Sequence, residues 1–220
     1  MSRGRERRTI PIQSSDSLGK LMQRASPAQR AVLSEALAHY RDEFAGFERR
    51  SDINSESIAF SIHAVVDEHI EQLFREDPNS HRIVCARGCS HCCHLWVTID
   101  RHEAALLLTI AREQGIEIDW PRAERQAAAR PSTWADLSHA DRACVFLGNM
   151  GECRVYEHRP NACRKYHAVD DASLCDTDKF PGGRVGTLVS AMAEVLASAA
   201  LVAFPGATSM SRMLLKAGRQ

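Results

Sequence analysis

Apolar and polar residues follow a helical period over much of the chain. Ser26 and Pro27 suit the N-cap and first turn of a helix, and apolar residues then recur at helical spacing: Val32, Leu33, Leu37, Tyr40, Phe44 and Phe47. A second segment follows the polar residues 50–52 and has one apolar face made of Ile58, Ile62, Val65, Val66, His69, Ile70, Leu73 and Phe74. The two segments predict a helical hairpin over residues 20–80, in which His63 and His69 are core or surface histidines.

The middle of the chain mixes short extended pieces with helices. The run 95–99 is β-branched and predicts a strand or an extended segment. Asp100 and Glu103 have the spacing of a capping box at the start of the next helix. A polar helix is expected from Pro121 to Arg130, and residues 148–151 predict the turn of a small hairpin.

The most apolar stretch predicts a last helix from Thr187 to Phe204. It contains Glu194 and is rich in Ala and Ser, which favours a buried core helix over a membrane span. The predicted fold is mainly α, an irregular helical domain with a cysteine-rich metal-binding core and at most a short β-hairpin. The predicted divisions are a flexible leader, the helical hairpin, a cysteine-cluster domain and a C-terminal helix packed on the core: 1–19, 20–80, 81–180 and 181–220.

Charge and composition exclude several classes of partner. The 28 Lys and Arg residues equal the 28 Asp and Glu residues in number, so no overall field attracts nucleic acid or anionic lipid. Aromatic residues make up 6% of the chain, which is few for a surface that stacks on bases. The basic N-terminus leads into no apolar run, so we expect no secretory signal and a cytoplasmic location.

Eight cysteines dominate the remaining chemistry, and we expect them to hold a metal. Four fall in the pattern C-x3-C-x2-C-C-H and four follow downstream: Cys85, Cys89, Cys92, Cys93, Cys144, Cys153, Cys163 and Cys175. Thiolates are soft ligands that suit zinc and iron–sulfur clusters, and two cysteines separated by two residues can face one ion. In a cytosolic chain this reading is favoured over a disulfide framework, and four cysteines within nine residues do not form an apolar stripe.

The number of thiols argues for more than one ordinary zinc site. A tetrahedral zinc takes four ligands, so eight cysteines with His91 and His94 would serve two zinc ions or an iron–sulfur cluster with thiols to spare. Arg159 and Arg164 flank Cys163 and would favour its thiolate form, unless Arg159 pairs with an acidic neighbour such as Glu157.

The chain contains four cysteine motifs in this order: Cys89-Ser90-His91-Cys92-Cys93, Cys144-Val145-Phe146-Leu147, Gly151-Glu152-Cys153-Arg154-Val155-Tyr156 and Arg159-Pro160-Asn161-Ala162-Cys163-Arg164. Together they closely resemble the YkgJ-type cysteine-cluster family, described as zinc- or iron-chelating proteins with a CxxCxxCC signature. The resemblance implies bound zinc or iron. The side chains of the adjacent pair Cys92-Cys93 diverge, which favours an iron–sulfur cluster or iron, with zinc as the alternative. Three residues separate Cys85 from Cys89, where the family signature has two, so Cys85 matches the signature less well than the other three cysteines of this segment. Val145 stands where the family often has Pro.

Three functions follow as expectations. The first is a protein that binds zinc or iron for metal handling, sensing or electron transfer. The second is an iron–sulfur enzyme similar to the flagellin lysine N-methylases of the same family. The third is a structural zinc module whose N-terminal helices bind a protein partner. The chain has no Gly-rich phosphate loop, no H-E-x-x-H and no G-x-S-x-G, so hydrolase and nucleotide-binding functions have no support.

Overall fold

The computed structural model describes residues 16–180 and 185–218. The chain is mainly helical, as predicted, and its α-helices are α1 Asp16–Arg24, α2 Pro27–Phe47, α3 Ser55–Glu76, α4 Arg101–Glu113, α5 Trp120–Ala128, α6 His139–Arg142, α7 Asn161–Arg164, α8 Ala191–Ala203 and α9 Met210–Gly218. Four two-residue strands form two antiparallel pairs. β1 Thr98–Ile99 pairs with β4 Thr208–Ser209, and β2 His167–Ala168 pairs with β3 Thr187–Leu188.

One apolar core lies between α8 and the two long N-terminal helices. Its buried side chains come from all three: Phe44, Ile58, Ile62, Val66, Ile70, Leu196 and Phe204. Both α2 and α3 pack on α8. The two predicted N-terminal helices are therefore joined through α8, which covers the apolar faces of both α2 and α3.

A second core surrounds α4 and carries the cysteine loops. Its buried side chains include Leu107, Ile110, Phe146, Val155, Met213 and Leu214, and Cys144, Cys153 and Cys163 pack against it. Helices α3 and α9 both pack on α4, and α5 packs on α9. The cysteine segments are therefore positioned by helices from both ends of the chain.

Three predicted element boundaries differ from the structure. The predicted leader lies mostly outside the described residues, but its last residues, 16–19, begin α1. The polar helix spans Trp120–Ala128 and is capped by Asp119, whose side chain accepts from the backbone N–H of Arg122. The last long helix begins at Ala191 rather than Thr187, because β3 pairs with β2 and Ser190 provides the helix cap.

Glu194 of α8 is 3% exposed, which agrees with a core helix. Its carboxylate accepts hydrogen bonds from the Lys165 ammonium and from the Ser17 hydroxyl, so the buried charge is paired. Across residues 16–180 and 185–218, no helix has the length and apolar character needed to cross a bilayer.

Candidate metal centre

Seven of the eight predicted ligands line one cavity of about 220 Å³. They come from both cysteine segments: Cys85, Cys89, Cys92, Cys93, Cys144, Cys153 and Cys163. Cys85 is exposed, whereas the other six are partly buried. The cavity therefore opens at the first cysteine loop and continues inward past the remaining thiols.

The first cysteine segment is a tight loop that ends in a short 3₁₀ helix, His91–His94. Gly88 takes a positive φ of 92°, which is the left-handed region that favours glycine. The Cys93 thiol donates to the Cys92 sulfur, and this hydrogen bond lowers the pKa of Cys92. The same bond, together with burial, raises the pKa of Cys93.

The second segment is held directly against the first. The backbone N–H of Cys144 donates to the carbonyl oxygen of Cys93 at 2.8 Å. Leu147 and Cys153 form a β-bridge around the turn, in agreement with the predicted hairpin. At Gly151 a Cβ would lie 3.5 Å from the carbonyl oxygen of Gly88, so the turn packs closely on the first loop.

The thiols are arranged so that they favour the neutral form when no cation is present. Burial raises the pKa of Cys144 and of Cys175 to about 12, and it raises the pKa of Cys163 well above its usual value. The neighbouring sulfurs shift these pKa values in the same direction, because adjacent thiolates would repel. A bound metal cation would favour the thiolate form instead, so that metal binding would release the thiol protons.

Arg159 supplies positive charge to the thiols. Its guanidinium lies 4.1 Å above the ring of Tyr156, and both residues line the cavity. Burial raises the pKa values of Cys85, Cys153 and Cys163, and the charge of Arg159 opposes part of that rise. At Cys92, whose pKa is lowered mainly by the hydrogen bond from Cys93, the charge of Arg159 acts in the same direction. Arg164 has a different position, since it pairs with Asp67 of α3 and donates to backbone carbonyls. Of the two flanking arginines, Arg159 is the one at the cavity.

Cys175 and the two histidines lie beside the lined space. Cys175 is 6% exposed and hydrogen-bonds with the Tyr166 hydroxyl, within electrostatic range of Cys85, Cys89 and Cys92. His91 Nδ1 is 3.9 Å from a carboxylate oxygen of Asp176. The His94 ring stacks on His139, with 3.8 Å between the centroids. In the part of the chain that the structure describes, neither His91 nor His94 lines the cavity.

Glu103 is a positioning residue that the sequence analysis assigned only to a helix cap. Its carboxylate accepts the backbone N–H of Asn161 at 2.7 Å and lies 3.1 Å from His63 Nε2. Asn161 begins α7, which carries Cys163, so the carboxylate anchors that ligand's helix. Glu103 lies four residues before Leu107 and seven before Ile110, which places it on the apolar face of α4. This spacing was the signal in the sequence that Glu103 is buried.

Burial dominates the protonation of this pair. It raises the pKa of Glu103 to about 7 and lowers the pKa of His63 to about 3. His63 is therefore neutral, and its Nε2 lies within hydrogen-bonding distance of the Glu103 carboxyl group. The cap itself is present, since the Asp100 side chain accepts from the backbone N–H groups of His102 and Glu103.

The thiols line a space rather than a closed coordination sphere. Within residues 16–180 and 185–218, no three His, Cys, Asp or Glu side chains are grouped as a formed metal site. Metal binding would therefore require side-chain rotations that draw sulfurs together. The donor set nevertheless fits zinc or iron, because it consists of thiols, the ligands that both metals take in proteins.

Residues 84–180 match the CxxCxxCC family, described as a "putative zinc- or iron-chelating domain". This segment is a CxxCxxCC domain. All eight cysteines of the chain fall within the CxxCxxCC domain, which accords with the predicted resemblance. Neither a curated protein nor a solved structure matches the chain.

Proposed function

We propose that this chain binds iron or zinc through the thiolates of its CxxCxxCC domain. The observation that carries the proposal is the convergence of seven cysteines, from segments separated by some fifty residues, on one cavity. Cysteines that acted only as small apolar residues would have no reason to face a common space. The family description supports the same conclusion at the level of zinc or iron.

The thiols divide into two groups that share Cys92, which favours more than one metal ion or an iron–sulfur cluster. Electrostatic interactions connect Cys92 with Cys85 and Cys175 on one side, and Cys89 interacts with both of these thiols. They also connect it with Cys144, Cys153 and Cys163 on the other. Either side of Cys92 could complete a four-thiolate set. We favour iron, as a cluster or as ions, with zinc as the alternative.

The chain's own residues would prepare and balance such a site. The hydrogen bond from Cys93 lowers the pKa of Cys92 and so favours its thiolate form, the form that binds a metal. Arg159 partly offsets the negative charge of a thiolate-rich site. The metal, when bound, would supply either electron transfer, as iron, or a structural crosslink, as zinc.

The direct test is the metal content of the full chain and of two cysteine variants. Cys92→Ser and Cys163→Ser are expected to contain less metal and to melt several degrees lower, because metal binding is coupled to folding. Anaerobic purification, elemental analysis, an absorption spectrum and a thermal melt provide the measurements. A brown protein with charge-transfer absorption indicates a cluster, and a colourless zinc protein indicates the alternative.

Met150→Ser is the matched control, because Met150 lies between the same cysteines and is 89% exposed. We expect it to retain the wild-type metal content and melting temperature. If Cys92→Ser and Cys163→Ser also retained both, the two residues would be removed from the ligand set.

A further inference from the structure

A second, small cavity lies where α7 and α8 meet the start of α4. Its volume is about 10 Å³, and no cysteine is among its described lining residues. The polar side chains that line it are Thr98, Asp100, Glu103, Asn161, Lys165 and Ser198. Asp100, Glu103, Asn161 and Ser198 are each at most 4% exposed, so the cavity lies in the interior, apart from the thiols.

Two polar atoms at this cavity have no hydrogen-bond partner in the protein. They are Asn161 Oδ1 and Ser198 Oγ, both buried, and neither is bonded to any group within residues 16–180 and 185–218. Buried polar side-chain atoms are paired in the large majority of cases, because an unpaired one lowers stability. The two atoms belong to different helices, α7 and α8, yet they line one space. The second cavity therefore has hydrogen-bonding capacity on two sides that the protein does not use.

Two carboxyl groups add further hydrogen-bonding capacity. The side chain of Asp100 accepts the backbone N–H groups of His102 and Glu103 through Oδ1, and Glu103 accepts the backbone N–H of Asn161 through Oε1. The second oxygen of each carboxyl group takes no part in these bonds. Burial raises the pKa of Asp100, and the neighbouring Glu103 carboxylate adds to the rise. A group bound here must therefore suit either protonation state of the two acids.

Volume and charge together select the ligand. Roughly 10–15 Å³ is enough for one water molecule, which usually makes about three hydrogen bonds, and no organic molecule fits this space. The Lys165 ammonium group lines the same cavity and pairs with Glu194, so its positive charge disfavours a second cation. Water both donates and accepts, so one molecule satisfies the Asn161 oxygen and the Ser198 hydroxyl together.

We propose that the second cavity binds one ordered water molecule, which bridges Asn161 Oδ1 and Ser198 Oγ and has the Asp100 and Glu103 carboxyl groups as further partners. The inference does not depend on what the thiols bind. Asn161 begins α7, the helix of Cys163, whereas Ser198 belongs to α8, outside the matched residues 84–180. The water thus joins α8 to the cysteine helix by hydrogen bonds.

A high-resolution crystal structure of the full chain tests the site directly. We expect one density peak at roughly 2.7–3.2 Å from both Asn161 Oδ1 and Ser198 Oγ. A cavity without density would overturn the inference. A peak with six or more oxygen atoms at about 2.0–2.6 Å would identify a metal cation instead of water and would also overturn it.

Ser198→Ala tests the site independently, because its effect on stability has opposite signs in a hydrated and in a dry cavity. If water is bound, the variant loses a hydrogen bond. In a dry cavity it removes an unpaired buried hydroxyl, which favours folding. Ser34→Ala makes the same change at an exposed position of α2 and so corrects for helix propensity.

Urea denaturation of the two variants and the wild type provides the measurement. Relative to Ser34→Ala, we expect Ser198→Ala to raise the unfolding equilibrium constant by roughly fivefold, the effect of one hydrogen bond. Metal content should be the same in all three proteins, since no thiol is altered. An unfolding constant of Ser198→Ala that equals or falls below that of Ser34→Ala would overturn the inference.

Discussion

Glu103 and His63 connect the two helical cores to the cysteine site through a single buried contact. Glu103 is 3% exposed, and its carboxylate accepts the N–H that begins the helix of Cys163. The surroundings disfavour its charge, since burial is the largest cause of its raised pKa. Glu103 therefore positions the helix of Cys163, and its ionised form lowers the stability of the fold.

The stability contribution of Glu103 should fall as the pH rises. Folding raises its pKa from 4.5 to about 7, so between these values the folded protein holds a proton that the unfolded chain has lost. Glu103→Gln keeps an oxygen for the Asn161 N–H but cannot ionise. Between pH 4.5 and 7.5, the unfolding free energy of the wild type relative to this variant should fall by on the order of 3 kcal/mol.

Urea denaturation at a series of pH values measures this difference. Taking the difference between the two proteins largely cancels the opposite contribution of His63, whose pKa of about 3 makes stability rise with pH up to about 6.5. Glu35→Gln removes an exposed carboxylate of α2 and should follow the wild type at every pH. The prediction would be contradicted if the unfolding free energies of the wild type and of Glu103→Gln changed equally with pH.

Short loops and turns, rather than long helices, hold the cysteines together. The hairpin turn at residues 148–151 packs on the first cysteine loop, and Gly151 takes a φ of 82° there. A hydrogen bond of 2.8 Å from Gly148 N–H to the carbonyl oxygen of Glu152 closes the turn. The relative position of Cys89 and Cys153 thus depends on backbone conformation.

Gly151→Ala should lower the unfolding free energy by about 1–2 kcal/mol, because an L side chain disfavours the left-handed backbone. The added Cβ would meet Gly88 and Ser90 only at 3.5 Å, an ordinary contact distance, so backbone strain is the expected cause. Gly19→Ala is the matched control and should raise the unfolding free energy, since Gly19 lies inside α1 with open space around it. Urea denaturation of both variants checks the prediction, and an unchanged or raised stability of Gly151→Ala would contradict it.

At the scale of the whole molecule, the CxxCxxCC domain depends on chain that lies outside its matched residues. Its core includes Ala59 of α3 and Met210, Met213 and Leu214 of α9. The partner of β1 is β4, which also follows the matched segment. Each fully buried large apolar side chain contributes about 1.5–3 kcal/mol, and folded domains are stable by only about 5–15 kcal/mol.

We therefore expect residues 84–180 not to fold alone. Without α3, α8 and α9, the apolar faces of α4 and the cysteine loops would be exposed to water. Circular dichroism and amide NMR of this segment, in reducing buffer with and without zinc or ferrous iron, should show no cooperative thermal transition. The full chain is the control, and a cooperative transition of the metal-loaded segment would contradict the expectation.

Local sequence determined much of the fold class and of the donor chemistry. Helical periodicity and the caps at Ser26 and Asp100 predicted α2 and α4, since these depend on neighbouring residues only. The eight cysteines identified soft-ligand chemistry by their type and spacing. Their motifs also predicted the family that the comparison then found.

Only the tertiary structure decided how these parts meet. It turned Glu103 from a helix cap into an anchor for the helix of Cys163, and it left Cys175 beside the cavity rather than in its wall. It also brought Gln126 and Ser211 into hydrogen-bonding contact in the wall of the cavity, although 85 residues separate them. Periodicity and donor type are local properties, whereas a cavity is the space left between segments that are distant in the chain, and packing alone determines that space.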